Sequence, residues 1–395
     1  MKKIELLSPA GDLERLKITL LYGADAVYIG GREYSLRANA NNFSLEEIKE
    51  ACSFAHDLGK KVFLTLNIVF HNEDLEEVDQ YIAAVVECGI DAFIVSDPFI
   101  IKHIKNNYDV EVHISTQNST TNTDAVLFFK EEGADRVVLA REVSLKEIKE
   151  IVDETKLDIE VFIHGSMCSF YSGRCCLSNY FTNRDSNRGG CAQICRFAFD
   201  IENENIKFTL APNDLNAAAL IPDLIEAGVK SLKVEGRMRS HYYLATVIQS
   251  YRKIIDAYYE NQLDDDLLEE ENFKLSRVAN RQTSTHYLEK EADEKDQYYT
   301  GRQEFSNQDY LGIVNYYKDG ILNINQRNYF SLNDKIELFT PKGDSHVFVL
   351  EKLYDKDMKE IDTARHPEEE LNIALDLDFE VEKYSMLRRH YDRKD

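Results

Sequence analysis

The sequence has no long apolar run, no apolar leader after Met1-Lys-Lys-Ile-Glu, and no low-complexity tract or solenoid-length repeat. Those absences argue against a membrane partner and for a cytoplasmic, reducing setting in which disulfides are not expected. Basic residues are also scarce: 47 Lys and Arg stand against 71 Asp and Glu, a net charge of -24. An extended, non-specific grip on nucleic-acid phosphates needs the opposite balance. Missing too are the G-x-S-x-G elbow, H-E-x-x-H, the P-loop and a G-x-G-x-x-G following a strand.

Cysteine is concentrated where the rest of the composition offers no reason for it. Five of the seven cysteines fall between Cys168 and Cys195, in a stretch rich in glycine and asparagine. Cys168, Cys175, Cys191 and Cys195 read as C-x6-C-x15-C-x3-C, four thiolates able to surround one compact centre. The spacing lacks the paired C-x2-C knuckles of structural zinc sites, which favours iron–sulfur and keeps zinc as the alternative. Cys176, next to Cys175, lies outside the four-ligand pattern, and Cys52 and Cys88 read as small buried hydrophobes. The segment is locally positive: between Gly165 and Phe197, Arg174, Arg184, Arg188 and Arg196 face only Asp185.

At 395 residues the chain exceeds the roughly 250 to 300 that one core usually serves, so more than one domain is expected. Short apolar runs at 4–7, 26–29, 62–66, 92–95, 111–114, 136–139, 159–163 and 231–234 alternate with amphipathic stretches. Ser44 with Glu47 and Ser144 with Glu147 read as capping boxes. The reading is an α/β fold, an eight-stranded β/α barrel of the TIM type over 1–260, with an open doubly wound sheet as competitor. The long gap between the seventh and eighth strands holds a Cys-rich, cluster-binding insertion, 164–200, on the face where barrels of this kind build active sites. Residues 261–304 read as a charged helical linker, with Asn280-Arg-Gln-Thr-Ser-Thr as an exposed loop. Alternating runs at 310–317, 321–326, 335–339, 346–353 and 371–375 make 305–395 a small antiparallel β-barrel domain.

Polar residues gather at the same end of at least six strands. Asn67, Gln117, His164 and Glu235 are the candidate catalytic groups, with His164 or Glu235 placed for proton transfer. Arg37, Arg141, Arg237 and Arg239 together would bind a carboxylate or phosphate through bidentate guanidinium forks, with Arg174 and Arg188 as further substrate contacts. Ser8, Asp12, Asp97 and Glu142 stand at strand ends as well, each with a plain capping or pairing role as its alternative.

The motifs Leu7-Ser-Pro-Ala-Gly, Tyr34-Ser-Leu-Arg-Ala, His164-Gly-Ser-Met-Cys, Tyr171-Ser-Gly-Arg-Cys, Asn187-Arg-Gly-Gly-Cys-Ala-Gln-Ile-Cys-Arg and Val234-Glu-Gly-Arg-Met-Arg-Ser together resemble the collagenase-like peptidase family U32 over essentially the whole chain. Within it the arrangement is similar to the bacterial tRNA hydroxylation branch. That resemblance implies a 4Fe-4S cluster on Cys168, Cys175, Cys191 and Cys195, prephenate as the small dicarboxylate donor, and 5-hydroxyuridine at the wobble position of a tRNA anticodon loop as product. A paralogous partner subunit is a further expectation. The competing readings are a peptidase, metal-dependent or of unassigned mechanism, and a non-catalytic scaffold with a structural metal.

Overall fold

Eight parallel strands follow one another in chain order: β1 (Glu5–Pro9), β2 (Ala26–Gly30), β3 (Lys61–Leu66), β4 (Ala92–Val95), β5 (Glu111–Ile114), β6 (Arg136–Val138), β7 (Asp158–Ser166) and β8 (Ser231–Val234). In this computed structural model, which describes residues 3–35, 42–202, 207–278, 281–298 and 308–391, β8 pairs with both β1 and β7. That double pairing closes the ring and excludes the open doubly wound sheet.

The surrounding helices are α1 (Leu13–Leu21), α2 (Leu45–Asp57), α3 (Val78–Glu87), α4 (Pro98–Asn107), α5 (Thr123–Glu131), α6 (Leu145–Thr155), α7 (Leu177–Thr182), α8 (Ile221–Glu226), α9 (His241–Tyr259) and α10 (Asp265–Val278). Both capping boxes form, at Ser44 with Glu47 and at Ser144 with Glu147. Asp12 and Asp97 accept backbone N–H bonds at the starts of α1 and α4, so these carboxylates cap helices. Among the described residues no helix is long and apolar enough to cross a membrane.

Side chains inside the barrel form two layers. Leu7, Ala26, Tyr28, Phe63, Ala92 and Ile94 make an apolar layer. Toward the strands' N-terminal ends lies a charged floor, where Arg136 bonds Glu5 and Glu160 at 2.6 and 2.9 Å and Lys233 bonds Glu160 at 2.7 Å. Burial alone would raise the Glu160 pKa, but Lys233 and Arg136 outweigh it and hold the carboxylate at about 2.

Two stretches differ from the sequence-based expectation. The run after Asn280 is not an exposed loop: Arg281, His286, Asp296 and Tyr298 are buried, and Thr283–Ser284 pairs with Asp214–Asn216, itself antiparallel to β7. Its charged composition conceals burial because Arg281 is matched by Asp214 at 3.1 Å and the His286 ring bonds the Asn213 carbonyl. The C-terminal domain is an antiparallel sheet of β9 (Tyr310–Lys318), β10 (Ile321–Gln326), β11 (Lys335–Phe339), β12 (Ser345–Val349), β13 (Leu353–Asp355), β14 (Glu370–Ala374) and β15 (Met386–Arg389). The expected run at 346–353 divides into β12 and β13, and β15, unforeseen, lies in the sheet between β11 and β9. Its Met386 joins the large core shared with the barrel helices while Leu387 joins the domain's own core, so both faces are buried and no apolar–polar alternation marks it.

Candidate active site at the barrel mouth

Where it pairs with β8, strand β7 carries one extra residue. Phe162 pairs with Lys233, but the next pair is His164 with Val234, leaving Ile163 as the irregularity. Alternation directs Glu160 and Phe162 inward; the extra residue turns His164 outward, beneath α9. There its ring meets those of Tyr243 and Tyr251 at 6.0 and 5.5 Å, and Nδ1 lies 3.1 Å from the Tyr251 hydroxyl. Burial, with Arg239 adding to it, lowers the His164 pKa to about 3. His164 therefore does not stand in the mouth as the sequence suggested; it is a neutral ring packed between barrel and helix.

Glu235 does occupy the mouth. It is buried, and the Tyr28 hydroxyl donates to its Oε2 at 3.2 Å. Lys233 lies over the Tyr28 ring at 4.5 Å and the Phe162 ring at 5.5 Å, while the Arg141 guanidinium covers Phe162 at 4.1 Å. Arg141, Phe162, Lys233, Tyr28 and Glu235 thus form one continuous row. Among the described residues the buried Nε of Arg141 has no hydrogen-bond partner. Neither has the Oδ1 of Asn67, whose amide donates to Ser115 at 3.1 Å, nor the Nδ2 of Asn118. Buried polar atoms left unmet at a barrel mouth are where a polar ligand would be recognised.

The other arginines are differently engaged. Arg237 reaches Ser35 and Asn42 at 3.0 and 2.7 Å, passing so close to Gly30 that a β-carbon there would collide with its guanidinium. Arg239 bonds Asp214 at 3.1 Å, beside Arg281, so the two share one buried carboxylate that sequence reasoning had not singled out. Arg188 pairs with Asp74 through both terminal nitrogens, at 2.6 and 3.1 Å, and is an anchor rather than a free substrate contact. Arg174 is exposed. Arg37 lies outside the described residues. Of the four expected arginines, Arg141 stands in the row at the mouth, Arg237 and Arg239 bond neighbouring protein groups, and Arg37 lies outside the described residues.

The Cys-rich insertion is fixed over this mouth at several points. Arg188 ties it to the loop after β3, and the Ser172 backbone N–H donates to the Glu142 carboxylate, in the loop after β6, at 3.0 Å. Ser119 donates to the Ser172 carbonyl, and Gly173, at φ 72°, sits against the Gln117 carbonyl where no β-carbon fits. Gln117 serves here through its backbone. The Cys175 carbonyl accepts from Ser186 and Asn187 at 2.5 and 3.2 Å. Burial raises the Cys195 pKa, Ser169 opposes it, Cys168 and Cys191 raise it further, and Arg196 lowers it. Cys168 and Cys191 each lie within electrostatic reach of Cys195. Among the described residues no three His, Cys, Asp or Glu side chains converge tightly enough to hold a single ion.

The family models agree with this architecture: "Peptidase family U32" matches residues 11–298 and "Peptidase family U32 C-terminal domain" matches 306–388. The chain belongs to peptidase family U32. It is 44% identical to tRNA hydroxylation protein P1 of Bacillus subtilis, over 95% of this chain and 92% of that one. It is 38% identical to 23S rRNA 5-hydroxycytidine C2501 synthase of Escherichia coli, over 66% of this chain and 41% of that one. A protein named collagenase from Porphyromonas gingivalis is 35% identical, over 70% of this chain and 71% of its own.

The depressed His164 pKa gives a pH dependence of definite sign. In the unfolded chain the imidazole takes up a proton near pH 6.5, whereas in the folded protein it does so only near pH 3. Acid therefore favours the unfolded state: this contribution is complete above about pH 6.5 and is lost as pH falls toward 3. Urea unfolding midpoints of wild type should drop between pH 7 and pH 5 by more than those of His164→Asn; equal drops would show that His164 does not titrate in this way.

Proposed function

We propose that this chain is an RNA-modifying enzyme that hydroxylates tRNA, converting wobble uridine to 5-hydroxyuridine without dioxygen in the cytoplasm. The observation that carries the reading is the near full-length similarity to a tRNA hydroxylation protein, combined with a cysteine insertion held over a polar barrel mouth. The net exchange is uracil C5–H plus donor C–OH giving uracil C5–OH plus donor C–H, so the donor is both oxygen source and oxidant. A hydroxylated dicarboxylate such as prephenate has that chemistry. Its carboxylate would meet Arg141, whose guanidinium is aligned by the Phe162 ring and whose Nε is unmet, while Asn67 and Asn118 offer an acceptor and a donor. Glu235, with the Tyr28 hydroxyl on one oxygen, is the mouth carboxylate able to hold the uracil proton. Cys168, Cys175, Cys191 and Cys195 would hold a 4Fe-4S cluster, which supplies one-electron transfer or a Lewis-acidic iron when bound. A paralogous subunit is a natural partner for such an enzyme.

The peptidase reading draws support from the collagenase relative. It has less in the site, because His164 is buried beneath α9 and spends its ring on Tyr251. Cleavage of unfolded collagen by protease-free protein, abolished in Cys168→Ala, would favour it.

Nucleoside mass spectrometry of total tRNA decides the main claim. Deleting the gene should remove 5-hydroxyuridine and its derivatives; an unchanged profile in a strain lacking this protein and any paralogue rejects the proposal. Protein purified anaerobically should absorb broadly near about 400 nm, as thiolate-bound iron–sulfur clusters do. Cys191→Ser should bleach that band and Cys52→Ser should not, since Cys52 is buried and its thiol is pushed up to about 12. Stoichiometric zinc without iron would remove the cluster from the scheme. Calorimetric titration with prephenate tests the donor site: losing a charge-assisted bond worth about 1.5 to 3 kcal/mol should weaken binding roughly ten- to a hundredfold in Arg141→Ala. Arg141→Lys should also bind poorly, because an ammonium cannot reproduce the planar fork.

A further inference from the structure

Helix α7 presents to solvent the residue types that a water-soluble surface normally avoids. It is bounded by Cys176 at its start and by Asn183 in the left-handed conformation at its end. Ser178 faces inward, accepting the Ala192 N–H at 3.0 Å, and Asn179 binds Ser186. That orientation leaves Tyr180 85% and Phe181 53% exposed. The two rings are not isolated: Tyr180, Phe181, Phe199 and Phe208 touch in sequence at centroid separations of 5.2, 6.0 and 5.7 Å. This is a row of aromatic faces that starts on a short helix.

The segment that carries Tyr180 and Phe181 is opposite in charge to the whole molecule. From Gly165 to Arg184 there is no acidic residue, and Arg174 and Arg184 are exposed, with no ion pair among the described residues. Asp200, beside Phe199, is countered by Lys207 at 4.0 Å. Aromatic rings flanked in the chain by exposed guanidiniums, in a protein of net charge -24, suit a ligand that is flat and apolar in one part and anionic in another. Unpaired nucleobases joined by phosphates meet that description; an apolar protein surface would leave both arginines unmet. The row also begins within one helical turn of Cys175 and Cys176, next to the candidate reactive centre.

We propose that Tyr180 and Phe181 form a stacking platform for unpaired bases of a single-stranded RNA loop, with Arg174 and Arg184 holding the adjoining phosphates. The proposal rests on the reading of this protein as an RNA-modifying enzyme and names the surface that selects the loop. Stacking makes it tolerant of base identity, so the platform would position the loop, and the barrel mouth would choose the base.

The test uses full-length, anaerobically purified protein and a fluorescent RNA hairpin with a uridine-containing loop, followed by anisotropy, alongside a fully paired duplex. Tyr180→Ala should weaken hairpin binding by about five- to a hundredfold, and Tyr180→Phe should restore it. Arg184→Ala should reduce the salt dependence of binding, whereas Tyr180→Ala should leave it unchanged. A 2-aminopurine in the loop should be quenched by wild type and not by Tyr180→Ala. If wild type binds and modifies tRNA while Tyr180→Ala and Phe181→Ala bind the hairpin as well as it does, the platform is overturned and the enzyme reading stands. If wild type neither binds hairpin nor alters tRNA, both fall. A loss of self-association in Tyr180→Ala, with RNA affinity unchanged, would assign the surface to a second copy of the chain and overturn the proposal.

Discussion

Everything at the mouth depends on β8 bonding to two neighbours at once. A parallel strand joined to β1 on one edge and β7 on the other fixes the radius of the barrel, and the inward side chains must then fill it. Lys233 illustrates the constraint. On one side it neutralises Glu160 within the charged floor; on the other its ammonium lies on the Tyr28 and Phe162 rings that support the mouth. A single buried cation therefore connects the part of the barrel that gives stability with the part that would meet substrate. Removing it would leave Glu160 with Arg136 as its principal counter-charge, a costly arrangement in a dry interior.

The barrel was legible because its signals are local. Capping boxes at Ser44 and Ser144 and eight apolar runs all act within a few residues, and the structure uses each where the sequence places it. What escaped was non-local. No property of Ile163 announces that it is surplus to the pairing of β7 with β8, yet that surplus decides which way His164 points. The strand β15 was hidden because Met386 and Leu387 serve different cores, and Arg281 because its partner Asp214 is far away in the chain.

The insertion shows the same division. Its ligand-like cysteines stand out by composition, whereas the functions of its arginines depend on what they meet. Arg188 and Arg174 look alike in sequence; one is clamped by Asp74 and the other is exposed. Glu142 and Gln117, both strand-end polar groups, turn out to seat the insertion, through a carboxylate on Ser172 and a carbonyl beneath Gly173. For Glu142 and Gln117 the place at the strand ends was readable, but the role was not, because role is set by partners contributed from distant loops.

The placement of β15 has a consequence for how the chain acquires its shape. The strand fills the middle of its sheet, between β11 and β9, although it follows both in sequence. Until it arrives, β9 with β10 and β11 with β12 can form only as separate hairpins, each with an unpaired inner edge. Such edges are sticky, so the interval before insertion is when neighbouring chains could pair with them. Arg388, arriving with the strand and binding the waiting Glu337 through two nitrogens, acts as a register key: a strand shifted by one residue would bury that guanidinium away from its carboxylate.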